Sequence, residues 1–304
     1  MSQKTYTFSH RTINEMKYFY RDVLTDAPQG AVFRAKTKHA VITAYNSGKV
    51  LFQGKKPQAE VEKWTDATIE SENVNKPNHA YTPPVSLYTM SHIGSDEAGT
   101  GDYFGPITTC CTFVPQEKIP LLKELGVRDS KSIADTTIRQ LAMDIIACDI
   151  PYTLYVLPNE KYNDLQTKGW SQGKMKTMLH HYAIQKLLKK IGTAQPKGIL
   201  IDQFCEPRIY AKHLASEQET MTKHTYFITN AEKHSIAVAA ASIIARTRFL
   251  QEIDKLSAKL GISLPKGAAS HVNETIRTIV DTKGKHALNA CAKVHFANTK
   301  KAIG

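Results

Sequence analysis

Apolar and polar positions alternate with a period of two in three short runs near the start of the chain, residues 31–38, 39–45 and 49–53. That period marks strands with one buried face, because successive side chains point to opposite sides of a pleated backbone. It puts Phe33, Ala35, Ala40, Ile42, Ala44, Val50 and Phe52 on one face and Arg34, Lys36, Lys38, Thr43, Tyr45, Lys49 and Gln53 on the other. Asn46-Ser47-Gly48 and Gly54 supply turns, and a helical pattern over 9–24 precedes the strands. These elements predict a small α+β domain over 1–64. The polar stretch 65–86, ending in Pro83 and Pro84, reads as a linker. Beyond it, strand patterns at 87–96, 104–114, 151–157, 197–203 and 225–229 alternate with helical ones at 136–147, 174–191 and 236–260. The alternation predicts an α/β domain over 87–304, a mixed sheet flanked by helices. No internal repeat is visible.

Charge sharpens the picture of the first domain. The chain of 304 residues carries 40 Lys and Arg against 28 Asp and Glu, a formal charge of +12. Residues 1–56 hold ten of the basic and three of the acidic side chains, a net +7. A solvated sheet face accounts for some of that surplus, but a flat basic face carrying Tyr45 suits a nucleic-acid backbone better. The longest uncharged apolar stretch, 235–245, is far short of the roughly 20 residues a membrane-crossing helix needs. With no secretory pattern at its start, the chain is expected in the cytoplasm. Five cysteines with no C-x-x-C pair point to reduced thiols rather than disulfides or structural zinc.

Candidate chemistry sits where acids end apolar strands, since a carboxylate there is costly to bury without a cation or hydrogen-bond donors. Three segments do this: Ile93-Gly94-Ser95-Asp96-Glu97, Leu200-Ile201-Asp202, and Phe227-Ile228 followed by Glu232. Strands side by side in one sheet would gather these carboxylates at one edge, as hard oxygen ligands for Mg²⁺ or Mn²⁺. Each acid also has a structural reading: Asp202 as a turn or helix cap, Glu232 as a first-turn helix acid. Asp96 and Glu97, as strand neighbours, would diverge unless the strand distorts, and Ala98-Gly99-Thr100-Gly101 allows such a departure. Gly99-Thr100-Gly101 lacks the third glycine and the helix of a dinucleotide site. Its small side chains instead let backbone N–H groups approach a phosphate or a sugar hydroxyl. His180, His181, His224, His234 and His271 read as structural or surface residues. Lys174 and Lys176 lie on a helical segment that either tracks phosphate or faces solvent.

The run from Asp96 to Gly101, continuing through Tyr103-Phe104-Gly105-Pro106, closely resembles the signature of type 2 ribonucleases H. Further similar motifs follow in order: Asp129-Ser130-Lys131, Lys161-Tyr162-Asn163, Gly169-Trp170, Ile201-Asp202-Gln203-Phe204, and the run 237–246. The small basic N-terminal domain, Thr100 between the glycines and Glu232 resemble the HIII branch rather than HII. The resemblance implies a ribonuclease H-like fold preceded by a TATA-binding-protein-like domain. It also implies endonucleolytic cutting of the RNA strand of RNA–DNA hybrids, leaving 5′-phosphate and 3′-hydroxyl ends. Carried onto this chain, it makes Asp96, Glu97 and Asp202 metal ligands, with Glu232 as the fourth acid. It makes Gly99, Thr100 and Gly101 the substrate-sensing loop and puts Ser130 and Lys131 near substrate phosphates. The N-terminal face with Arg34, Lys36, Lys38 and Tyr45 is expected to grip the hybrid, and the protein to act as a monomer. Two other functions stay open: cutting at single ribonucleotides embedded in DNA, and hybrid binding without catalysis.

Overall fold

A computed structural model describes residues 2–28, 30–65, 80–130 and 133–304. The chain divides into two compact units, Met1–Pro77 and Asn78–Gly304. The first contains β1 (Ser2–Thr7), α1 (His10–Phe19), β2 (Leu24–Thr25), β3 (Ala31–Lys36), β4 (Ala40–Tyr45), β5 (Lys49–Gly54) and α2 (Gln58–Thr65). Its antiparallel sheet runs β1-β5-β4-β3-β2. All seven residues expected on the apolar face are buried. Ile13 and Met16 of α1 pack against that face, and the Ser9 hydroxyl caps the helix by accepting from Thr12 N at 3.0 Å. Arg34, Lys36 and Lys38 are exposed and Tyr45 is half-buried. Thr43, on the same side, is buried between the neighbouring strands.

Two local expectations change here. The helix expected over 9–24 ends at Phe19, and a 3₁₀ turn leads into β2. β1 was not foreseen, because its sequence is almost wholly polar and it is bound as an edge strand through β5. Helix α2 belongs to this unit: Val61 joins its core, and the buried Glu60 carboxylate accepts hydrogen bonds from Tyr20, Thr37 and Lys63 at 3.0, 2.8 and 2.7 Å. Those donors make its burial tolerable. Of the expected linker, residues 66–79 lie outside the described residues. At its far end Tyr81 O accepts from Phe227 N at 2.9 Å, so this end is already bound to the second unit.

The second unit contains β6 (His92–Ala98), β7 (Ile107–Val114), α3 (Ile119–Glu124), α4 (Asp135–Ala147), β8 (Tyr152–Leu157), α5 (Asn159–Thr167), α6 (Gln172–Ile191) and β9 (Ile199–Asp202). It continues with α7 (Pro207–Ala215), β10 (Thr225–Ile228), α8 (Ile236–Leu260), α9 (Val272–Lys283), α10 (Leu288–Cys291) and α11 (Ala297–Ile303). The sheet order is β10-β9-β6-β7-β8; β6 pairs antiparallel with β7 and parallel with β9. This is the expected mixed sheet with helices on both faces. α8 lies so close to β6 that a Cβ on Gly94 would meet Ala237 C at 2.2 Å. The small residues 237–245 allow this approach, and Thr108 and Thr112 donate to Ala245 O and Ala237 O, each at 2.8 Å. α6 covers the opposite face, where Thr153 donates to Ala183 O at 2.7 Å. The strand expected from residue 87 begins at His92, after a 3₁₀ turn at Val85–Thr89. The strand expected from 104 begins at Ile107, because Gly105 turns left-handed at φ +82° and Pro106 has no N–H to give to a ladder. No described helix is long and apolar enough to cross a membrane.

Candidate active site

The register of the parallel pair determines which acids meet. Ile93 lies beside Ile199 and Ser95 beside Ile201, so one step further along the two neighbouring strands come Asp96 and Asp202. Asp202 also pairs with Ile228 of β10, which leads into the 3₁₀ turn Ala231–Lys233 carrying Glu232. Asp202 Oδ1 accepts from Ala231 N at 2.8 Å and ties that turn to the strand end. Asp96, Glu97 and Asp202 line one cleft of about 430 Å³, together with Gly99, Thr100 and Gly101. Ser130 also lines it; Glu232 does not, being buried in its turn next to Asp202's hydrogen-bond partner. Lys131 lies outside the described residues.

No distortion separates Asp96 from Glu97: β6 stays in register with β7 from His92 opposite Val114 to Ala98 opposite Thr108. The neighbours therefore diverge. His92 and Asp96 face α8, where His92 Nε2 lies 2.7 Å from Ser235 Oγ and the Ser242 hydroxyl hydrogen-bonds Asp96. Ser95 and Glu97 face α6: His180 Nδ1 lies 2.6 Å from Ser95 Oγ and its Nε2 2.8 Å from Glu97. Lys176 Nζ donates to the other Glu97 oxygen at 2.9 Å. The departure expected within the strand comes only after it, at Gly99, with φ +86°.

Electrostatics separates the two acids further. Burial, reinforced by the charges on Glu97 and Asp202, raises the Asp96 carboxyl well above the usual carboxylate range, while hydrogen bonds from Ser242 and Glu97 N oppose it. Burial pushes the Glu97 carboxyl up too, but His180 and Lys176 outweigh it and hold the group at about 2. A surplus of negative charge thus gathers at the Asp96 end of the cleft, on carboxylate oxygens alone, and this donor chemistry fits a hard divalent cation. Among the described residues no three His, Cys, Asp or Glu side chains already stand in metal-holding geometry. The bonds just named explain why: Glu97 is engaged by α6, and Asp202 and Asp96 accept backbone N–H groups.

Two glycines of the loop differ in what they meet. A Cβ on Gly99 would lie 2.3 Å from Pro106 O, whereas one on Gly101 would meet nothing within 4 Å. Ser130 and Arg246 also line the cleft: Ser130 Oγ is 2.9 Å from Ser242 Oγ, and Arg246 reaches Ser130 O and, at 2.7 Å, Asp135.

Residues 93–299 match the ribonuclease HII family, and residues 4–77 match a family described as a domain of unknown function, DUF3378. The chain is 53% identical over 304 residues to ribonuclease HIII of Oceanobacillus iheyensis, covering 99% of each chain. It is 50% identical over 306 residues to ribonuclease HIII of Bacillus subtilis, covering 99% of this chain and 97% of that one. The chain belongs to the ribonuclease HIII family. A crystal structure of Bst-RNase HIII in complex with Mn²⁺ superposes with a TM-score of 0.70 at 39% identity, covering 99% of this chain and 98% of that one.

Within this ribonuclease HIII fold, sequence reasoning missed the site's supports. His180 had been read as structural or surface; it is fully buried against Glu97 and stacked on Phe204 at 5.2 Å. Ser242, which enters the sequence analysis only as a member of the run 237–246, bonds Asp96. Lys176 spends its charge on Glu97 rather than on solvent or phosphate. Helical spacing offered one signal: Lys176 and His180 are four apart on the α6 face that also carries buried Met175 and Ala183. Arg34, Lys36, Lys38 and Tyr45 belong to the first unit and its polar sheet face.

Proposed function

We propose that this protein is an endoribonuclease that hydrolyses the RNA strand of RNA–DNA hybrids, using Mg²⁺ or Mn²⁺ held by Asp96, Glu97 and Asp202, with Glu232 as the fourth acid. The observation that carries the reading is the meeting of Asp96 and Asp202 on adjacent parallel strands, in a cleft they share with Glu97 and the glycine loop. The Mn²⁺ complex of Bst-RNase HIII supports the choice of cation. When bound, such ions supply Lewis-acid chemistry, activating the attacking water and stabilising the charge that develops on the leaving 3′-oxygen. The chain's own residues do the rest. Ser242 and Glu97 N orient the Asp96 carboxylate, and His180 and Lys176 orient Glu97. The products are 5′-phosphate and 3′-hydroxyl ends.

Selection for RNA is assigned to Gly99, Thr100 and Gly101, whose backbone can reach a 2′-hydroxyl; the open space at Gly101 supports this. Ser130 and Lys131 are proposed to contact substrate phosphates, and Arg34, Lys36, Lys38 and Tyr45 to hold the hybrid backbone. The working division is a substrate-gripping domain over 1–64, a linker over 65–86 and a catalytic domain over 87–304, acting as a monomer in the cytoplasm. Incubation with Mg²⁺ or Mn²⁺ and three labelled duplexes tests the reading: RNA–DNA, DNA with one ribonucleotide, and RNA–RNA. Strong cutting of the RNA–DNA duplex is expected. Cutting confined to the single ribonucleotide, or none at all, would overturn it.

A further inference from the structure

The strand–loop–strand segment that carries the glycine loop is held from behind by a lysine that the proposed mechanism does not use. Lys293, in the loop after α10, is fully buried, and among the described residues it forms no ion pair. Its Nζ donates to two backbone carbonyls, Asp102 O at 2.9 Å and Gly105 O at 2.5 Å. Those carbonyls bracket the turn between the glycine loop and β7. Asn159 Nδ2 adds a donor to Gly105 O at 2.8 Å, and the Lys293 backbone N–H donates to Tyr103 O at 2.8 Å. A buried ammonium whose hydrogen bonds go to carbonyls, with the Tyr162 ring 5.9 Å from its Nζ, is an expensive way to hold a loop. Burial pulls it down to about 7, with the Asp102 carboxylate opposing. An apolar side chain would fill the space at lower cost but could not fix two carbonyl oxygens at once. Asp102 is restrained on its other side as well, its Oδ1 accepting from Gly267 N at 2.6 Å.

We infer that Lys293 is a positioning residue for ribose selection: by clamping Asp102 O and Gly105 O it sets the height of the Gly99–Gly101 backbone over the cleft. The inference rests on the nuclease reading above and deepens it. A rigid backbone donor or acceptor discriminates against a missing hydroxyl because its own hydrogen bond then goes unmade. Loosening the clamp therefore costs recognition of RNA while leaving the contacts common to every duplex.

The test uses the full chain, with KM measured on an RNA–DNA hybrid and Ki for a DNA–DNA duplex of the same sequence as competitor. Lys293→Met, which keeps most of the volume and removes the donors, is expected to raise KM for the hybrid about tenfold, the loss of one hydrogen bond, with Ki for the DNA duplex unchanged. General softening of the fold would shift both together. If Lys293→Met does not fold, as judged by circular dichroism and a melting curve, Asn159→Leu decides the matter, with the same direction and a smaller change expected. A folded variant that keeps the wild-type ratio of KM to Ki overturns the inference alone. Wild-type protein that cuts no hybrid overturns the nuclease reading and this inference with it.

Discussion

Asp96 combines a strongly unfavourable electrostatic setting with the most direct role in the proposed chemistry. Its carboxyl is raised by burial and by Glu97 and Asp202, so the folded state holds a proton that the unfolded chain releases. In EDTA, stability should therefore fall as pH rises above the ordinary carboxylate value of 3.8 toward the raised one, and a divalent ion should reverse that loss. Asp96→Asn keeps an oxygen for Ser242 and Glu97 N but removes the repelling charge. We expect it to melt higher than wild type in EDTA at neutral pH, and to cut hybrid slower by about 10³-fold or more. An unchanged melting temperature combined with retained turnover would contradict both roles. The loop glycines make a second contrast. Gly99→Ala forces a Cβ onto Pro106 O at positive φ and should cost about 2 kcal/mol or more in urea unfolding. Gly101→Ala meets open space, should leave stability nearly unchanged, and should weaken hybrid cleavage.

Elements show what was legible in the sequence and what was not. The period of two in 31–53 identified the first unit's core face, because each of those strands has one buried and one wet side. The five strands and three long helices of the second unit were legible for the same reason: long runs with a clear period declare themselves. The acids were visible because carboxylates at the ends of apolar strands are chemically out of place. Three things were hidden. β1 has no apolar face to announce it. The divergence of Asp96 and Glu97 was anticipated as a geometric hazard, but the expected remedy, a distorted strand, does not occur. The partners of Glu97 lie 79 and 83 residues away on α6, and no local pattern reports a contact made by packing. The consequence is measurable. Glu97's depressed carboxyl contributes stability that is present above its ordinary value of 4.5 and lost as pH falls through about 2. Lys176→Met removes one of its two partners from a nearly buried site and should cost about 3 kcal/mol at neutral pH. It should also shift the acid-unfolding limb to higher pH. No change in that limb would place Glu97's stabilisation elsewhere.

At the scale of the whole molecule, the net +7 of residues 1–56 and the exposed Arg34, Lys36 and Lys38 support the proposed backbone-gripping role of the first unit, while the four acids proposed for catalysis all belong to the second. If the grip is electrostatic, replacing these three cations by Ala should weaken hybrid binding. The slope of log K against log salt should then become shallower by about one per lost phosphate contact. Its kcat at saturating hybrid should stay near wild type, since none of the three lines the cleft. An unchanged salt slope would take the grip away from this face.

The account turns on carboxylates from separate strands holding a divalent cation together, and calorimetric titration of the full chain with Mn²⁺ tests that most directly. Wild type should bind Mn²⁺, and Asp96→Asn and Asp202→Asn should each lose most of that heat. Binding equal to wild type in both variants would contradict the shared site.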